Sequence, residues 1–188
     1  MDLFSGIGGF RLALESEGHE CVGYCDNDKF VKKSYQAIFK TKGEKEYGDI
    51  REVSNEEWRK FREKCELICA GFPCQSFSVA GKRKGFLDEV RGTLFFEIAR
   101  AVKQIQPRLL LLENVKGLLF HDGGRTFAQI LATLDELGYD AEWQVLDSQD
   151  FGVPQHRERV YLVGHLRGKS GGEIFPLGGT EREIDLEK

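Results

Sequence analysis

The chain has 188 residues, 40% hydrophobic and 31% charged, a composition that excludes a disordered chain and suits one domain able to bury a core. Its net charge of −4 excludes a chain-wide electrostatic footprint for nucleic acid, so any DNA-facing charge must be local. Five cysteines, no signal-peptide pattern and no run approaching the roughly 20 apolar residues of a membrane span point to a reducing, cytoplasmic setting without a membrane.

In chain order, Asp2–Phe4 reads as the stub of a strand, followed by the glycines of "SGIGGF". "FRLALESEG" has helical spacing and stops naturally at Gly18. "ECVGYCD" reads as a strand, "KFVKKSYQAIF" as a helix, and "NEEWRKFREK" as a helix capped by Asn55. "CELICAGF" is an apolar strand, and "TLFFEIARAVKQIQ" a helix ended by Pro107. "RLLLLEN" is a second buried strand and "RTFAQILATLDELG" a further helix; "AEWQVLD" and "RVYLVGHL" close the pattern as two strands with no helix between them. Apolar strands separated by amphipathic helices predict an α/β fold, a mainly parallel sheet with helices on both faces. The domain is expected over residues 1–167, with 168–188 a glycine-rich linker and charged tail.

Ligands of open α/β sheets sit at the carboxyl ends of the strands, where the strand order reverses. The first such turn, Phe4-Ser5-Gly6-Ile7-Gly8-Gly9, is similar to a dinucleotide fingerprint with Arg11 in place of the third glycine. By spacing alone it is equally a tight strand-to-helix turn. Two acids add to it. Asp26 ends the second strand, where a carboxylate can accept both hydroxyls of a ribose, and Asp49 ends the third strand region, where one can accept from an adenine amine. Glycines without a phosphate cradle, together with two carboxylates, suit a neutral-to-cationic nucleoside better than a pyrophosphate. S-adenosyl-L-methionine has that profile.

"GFPCQSFS" sets Cys74 on a stiff Phe72-Pro73 turn, presented instead of packed. The long loop that follows carries Lys82, Arg83, Lys84 and Arg91 with Phe77 and Phe86 between them. It reads either as a solvated loop or as a flap that closes on phosphates. Cys21, Cys25, Cys65 and Cys69 form no CxxC pair, so no metal site is expected, and the four histidines are scattered.

"DLFSGIGGFRLALE", "GFPCQSFS", "GTLFFEIAR", "ENVKGL" and "DFGVPQHRERVYLV" resemble, in this order, the motifs of DNA (cytosine-5)-methyltransferases, most closely bacterial enzymes of restriction-modification systems. The resemblance runs to about Leu166. It implies a Rossmann-like fold of the S-adenosylmethionine-dependent methyltransferase kind, acting on double-stranded DNA. It places Phe4, Gly6, Ile7, Gly8, Gly9, Asp26, Asn27, Asp49, Ile50, Pro73 and Leu94 around the cofactor. It places Gln75, Ser76, Ser78, Lys82, Arg91 and Asn114 toward the substrate, and makes Cys74, Glu113, Arg157 and Arg159 catalytic.

The chemistry explains those types. Cytosine C5 is a poor nucleophile until a thiolate adds at C6, an addition that the resemblance gives to Cys74. Burial of Glu113 at a strand end is expected to keep it protonated, able to donate to N3. An arginine paired to Glu113 would oppose that, so Arg159 is expected at cytosine O2 and the thiolate, with Arg157 bracing the site and Asn114 holding the turn. The base must be flipped out of the duplex.

Three rivals stand beside this reading. A Cys–His hydrolase pairing Cys74 with His156 or His121 leaves the glycine turn, Asp26, Asp49 and Glu113 without a task. The tRNA-methylating branch of the family usually shows PPCQ, where this chain has Phe72-Pro73-Cys74-Gln75. The third is an inactive or split-subunit fragment. Against the family pattern the chain lacks the target-recognition region and a GNSV-like last segment. The expectation is therefore that a second chain supplies them, and that these residues alone do not methylate DNA.

Overall fold

The structure, a computed structural model, describes residues 1–73, 94–169, 172 and 174–177. Its frame is a seven-stranded sheet of β1 (Asp2–Leu3), β2 (Gly23–Cys25), β3 (Lys45–Tyr47), β4 (Leu67–Gly71), β5 (Leu109–Val115), β6 (Tyr139–Asp147) and β7 (Glu158–Leu166), in the order β3-β2-β1-β4-β5-β7-β6. The first five strands run parallel, and β7 inserts antiparallel between β5 and β6. The helices are α1 (Gly9–Ser16), α2 (Lys29–Ile38), α3 (Asn55–Arg59), α4 (Leu94–Ile105) and α5 (Arg125–Glu136).

Strand alternation divides the interior in two. Tyr24 and Cys25 are neighbours on β2 and so point to opposite faces. Tyr24 packs with Tyr35 and Phe39 of the α2 region, whereas Cys25 joins the main core. There Leu110 and Leu112 of β5 meet Phe95, Ile98 and Ile105 of α4 and Ile130 and Leu134 of α5. Helices therefore cover both faces, as the alternating pattern predicts. Strand order reverses between β1 and β4, which opens a cleft at their carboxyl ends.

Three local features differ from the sequence reading. Ser54, not Asn55, caps α3: its Oγ accepts the Glu57 N–H at 3.2 Å. That helix stops at Arg59 and gives way to turns, and Glu63 takes a left-handed φ of 66°. Residues 174–177, read as linker, lie along β6, where Ile174 and Phe175 N–H donate to the Glu142 carboxylate and Leu177 N–H to Gln144 Oε1.

Candidate active site

The turn leaving β1 is built from left-handed residues: Phe4 has φ 55°, Gly6 54° and Gly8 91°. A Cβ on Gly8 would lie 2.1 Å from Phe39 Cε2, so close packing demands glycine there. A Cβ on Gly6 would meet nothing within 4 Å; that side of the turn is open, as is Gly9. Ile7 is exposed beside them. Arg11, at the place of the third fingerprint glycine, is buried instead, paired with Glu15 and Glu44 and lying 4.6 Å over the Phe39 ring. The position serves packing and gives no phosphate a close approach.

Asp26, just past β2, ties this turn to its neighbour. Its Oδ2 accepts the Gly6 N–H at 3.0 Å and its Oδ1 the Asp28 N–H at 2.9 Å. Each oxygen keeps a lone pair. Asn27 is exposed next to it. Asp49 opens the 3₁₀ turn Ile50–Glu52 by accepting the Arg51 N–H at 2.9 Å, and the Arg51 side chain also grips it, Nε to Oδ1 at 2.9 Å. That arginine holds the Asp49 carboxyl below its usual range. Ile50 is buried behind it.

On the other side of the reversal, β4 runs through Gly71 and Phe72 into Pro73. Asn114, next on β5 after Glu113, is 3% exposed. Its Nδ2 donates to Phe72 O at 2.8 Å and its Oδ1 accepts the Val115 N–H at 2.9 Å. The sequence reading placed Asn114 toward the substrate and also expected it to hold the turn. The structure gives both of its side-chain polar atoms to the backbone, so it holds the strand end that leads to Cys74.

Glu113 stands on the opposite face of β5, the face bearing Gly71, whose Cβ position lies 3.3 Å from Glu113 Oε2. Arg159 Nε pairs with Glu113 Oε1 at 3.0 Å. This corrects the expectation that Arg159 keeps clear of Glu113. β7 sets Tyr161 opposite Glu113 and Arg159 opposite Val115, which puts the guanidinium on the same face, two residues along, within diagonal reach of the carboxylate. Arg157 is exposed, and its backbone N–H donates to Asp147 Oδ1 at 3.0 Å. Asp147 also accepts from Gln149 N–H and pairs with His156, so this buried carboxylate, missed in the sequence, organises the turn leading to Arg157. Its only sequence signal is its place at the end of a strand.

Cys74, Gln75, Ser76, Ser78, Lys82 and Arg91 lie outside the described residues. Leu94 begins α4. Of the remaining cysteines, burial pushes Cys25 up to about 12 and raises Cys21, Cys65 and Cys69. None is a thiolate near neutrality. No group of His, Cys, Asp or Glu among the described residues could hold a metal ion, and no helix among them is long and apolar enough to cross a membrane.

A mainly parallel sheet with a glycine turn, a carboxylate just past the next strand and an acid beside Gly71 at the end of β4 defines a Rossmann-like methyltransferase architecture. The chain belongs to the C-5 cytosine-specific DNA methylase family, whose sequence profile matches residues 1–181. It is 47% identical over 163 residues to the type II methyltransferase M.HhaI of Haemophilus parahaemolyticus, covering 87% of this chain and 47% of that protein. It is 48% identical over 167 residues to the type II methyltransferase M.HpaII of Haemophilus parainfluenzae, covering 87% and 45%. The chain thus spans about half the length of these relatives. The fold is shared with a DNMT2 of Spodoptera frugiperda, at a TM-score of 0.70 and 24% identity over 89% of this chain and 50% of that one. It is shared also with Dnmt2 of S. pombe, at 0.68 and 23% over 92% and 52%.

Proposed function

We propose that the protein transfers a methyl group from S-adenosyl-L-methionine to C5 of cytosine in double-stranded DNA, with Cys74 as the nucleophile. The observation that carries this reading is the match to the family over residues 1–181, in which Pro73 and Cys74 follow in sequence directly from a strand end held by Asn114. The residues at the glycine turn suit the nucleoside: the open side of Gly6 accommodates a ligand, and Asp26 has lone pairs for ribose hydroxyls. When bound, the cofactor supplies an electrophilic methyl on sulfonium.

In this reading the Cys74 thiolate adds to cytosine C6, and as the C6–S bond forms N3 takes a proton from a water that Glu113 Oε2 orients, since the Arg159 pair opposes a resident acid at Glu113. Arg159 occupies Glu113 Oε1, leaving Oε2 without a partner among the described residues and free for that water. The ring electrons released to C5 would make it nucleophilic toward the methyl the cofactor supplies, the C5–methyl bond forming as the sulfur–methyl bond breaks and the sulfur keeps that electron pair as a neutral thioether. Loss of the C5 proton to water, with return of the N3 proton along the path by which it came, then expels the thiolate and restores the ring. The raised thiols elsewhere favour Cys74 as nucleophile, since no other cysteine supplies a thiolate at neutral pH.

Recognition of the DNA site comes, we propose, from sequence beyond these 188 residues, carried by a further segment or a second chain. The exposed Ile7 (67%) and Leu12 (64%) beside the glycine turn offer it an apolar face. The test uses duplex DNA bearing 5-fluorocytosine, whose fluorine blocks the final elimination, with the cofactor and the polypeptide supplying that segment. Cys74 protein is expected to form a covalent adduct, Cys69→Ser to retain it and Cys74→Ser to lose it. An adduct with Cys74→Ser overturns the assignment.

A further inference from the structure

Arg100 lies on α4, and neither the glycine turn nor the catalytic set of the sequence reading includes it. Its side chain is only 27% exposed and sits at the centre of a polar cluster joining three parts of the chain. Nη2 donates to Ile50 O at 2.9 Å, and Nη1 donates to Val53 O at 2.7 Å and to Asn55 Oδ1 at 3.0 Å. Nε donates to Glu97 Oε2 at 2.8 Å, one turn back on the same helix, which fixes the plane of the guanidinium.

These acceptors bracket the 3₁₀ turn Ile50–Glu52 that Asp49 opens. Within the turn the Glu52 N–H donates to Asp49 O at 3.0 Å, but Ile50 O accepts the Val53 N–H only at 3.4 Å. The shorter bonds to both carbonyls come from Arg100. The same contact explains why Asn55 does not cap α3, since its side-chain oxygen is turned to the guanidinium. We infer that Arg100 is a positioning residue for the cofactor pocket, setting the Asp49–Ile50 turn through the carbonyls of Ile50 and Val53.

The inference rests on the cofactor reading above and adds a residue to it. α4 starts at Leu94, which the family resemblance also assigns to the cofactor, so one rigid helix carries a pocket residue at its start and the clamp on the facing turn two turns later. A planar fork reaches three divergent acceptors at once. A lysine ammonium keeps the charge and does not reproduce that geometry.

The experiment measures S-adenosylhomocysteine affinity by calorimetry for the unsubstituted chain, Arg100→Lys, Arg100→Met, Asp49→Ala, Asp26→Ala and the double variants with Arg100→Lys, with thermal melting alongside. Arg100→Lys is expected to remain folded and to bind about tenfold more weakly. Its loss should overlap with that of Asp49→Ala, so the double variant falls well short of the product of the two losses, whereas the losses of Arg100→Lys and Asp26→Ala should multiply. A merely structural role would not distinguish the two aspartates. Unchanged affinity in folded Arg100→Lys, or losses that multiply fully with Asp49→Ala, overturns the inference. Should the unsubstituted chain fail to bind, the cofactor reading itself falls and takes the inference with it, a result the wild-type measurement separates from failure of Arg100 alone.

Discussion

Three glycines of one turn answer differently to alanine, and the difference separates packing from ligand binding. At Gly8 the φ of 91° is left-handed, which costs a Cβ-bearing residue about 1–2 kcal/mol. The added Cβ would also stand 2.1 Å from Phe39 Cε2 and 3.1 Å from Tyr35 Cε2, in a cluster whose Tyr35 is fully buried. Overpacking of that kind costs about 1–3 kcal/mol. Gly8→Ala is therefore expected to lose about 2–5 kcal/mol, a large part of the roughly 5–15 kcal/mol typical of a domain. Gly6→Ala carries the left-handed strain without the clash, about 1–2 kcal/mol, but fills the open side of the turn. Its signature is a small loss of stability with a loss of S-adenosylhomocysteine binding of about tenfold or more. Gly9 begins α1 with open space around it, so Gly9→Ala is expected to stabilise by about 0.5–1 kcal/mol. Urea unfolding followed by fluorescence measures all three, since Trp58 is fully buried and reports on the core. A Gly8→Ala loss below about 1 kcal/mol, or equal losses at Gly6 and Gly8, would refute the reasoning.

Asp26→Ala removes an acceptor shared by Gly6 N–H and the expected ribose, and should weaken S-adenosylhomocysteine binding at least about tenfold; equal binding in calorimetry removes Asp26 from the pocket. Asn114→Ala strands a buried Phe72 carbonyl and should cost about 1–3 kcal/mol in urea unfolding while slowing adduct formation with 5-fluorocytosine DNA; an unchanged adduct rate would show that the Phe72 carbonyl does not set the Cys74 turn. Burial raises the Asp2 carboxyl from 3.8 to about 6, so the folded chain binds that proton more tightly than the unfolded chain and stability falls as pH rises from about 4 to 6. Asp2→Asn should flatten that slope and add roughly 1–3 kcal/mol at pH 7, which urea titrations across pH would reveal or exclude.

Much of the fold was legible because each strand is a short apolar run and each helix carries one apolar face. Leu109–Val115 and Leu94–Ile105 were readable on those grounds within a residue or two. Caps and pairings were not. Ser54 and Asn55 are both good caps by type, and only the distant Arg100 side chain decides between them. The Glu113–Arg159 pair was also illegible, because it depends on β7 inserting between β5 and β6 and on the register of that antiparallel pair. Sequence spacing could place Arg159 on a strand; it could not say which strand lies beside it.

The site residues stand at strand ends whose positions the sheet sets, but the segments that leave those ends are set by polar side chains from elsewhere. Asn114 holds the end of β4 through Phe72 O, and Asp147 holds the turn before Arg157 through its backbone N–H. Arg100 holds the turn after Asp49 through Ile50 O and Val53 O. In each case an otherwise irregular stretch of backbone gains a partner from a side chain on a regular element, which fixes it without adding to its length. A loop pinned in this way keeps its geometry where the sheet's own hydrogen bonds have ended. Asn114 and Asp147 are buried and Arg100 is mostly so, and their bonds are accordingly shielded from water. Positional accuracy at the reacting end of this fold therefore rests on residues that carry no chemistry themselves.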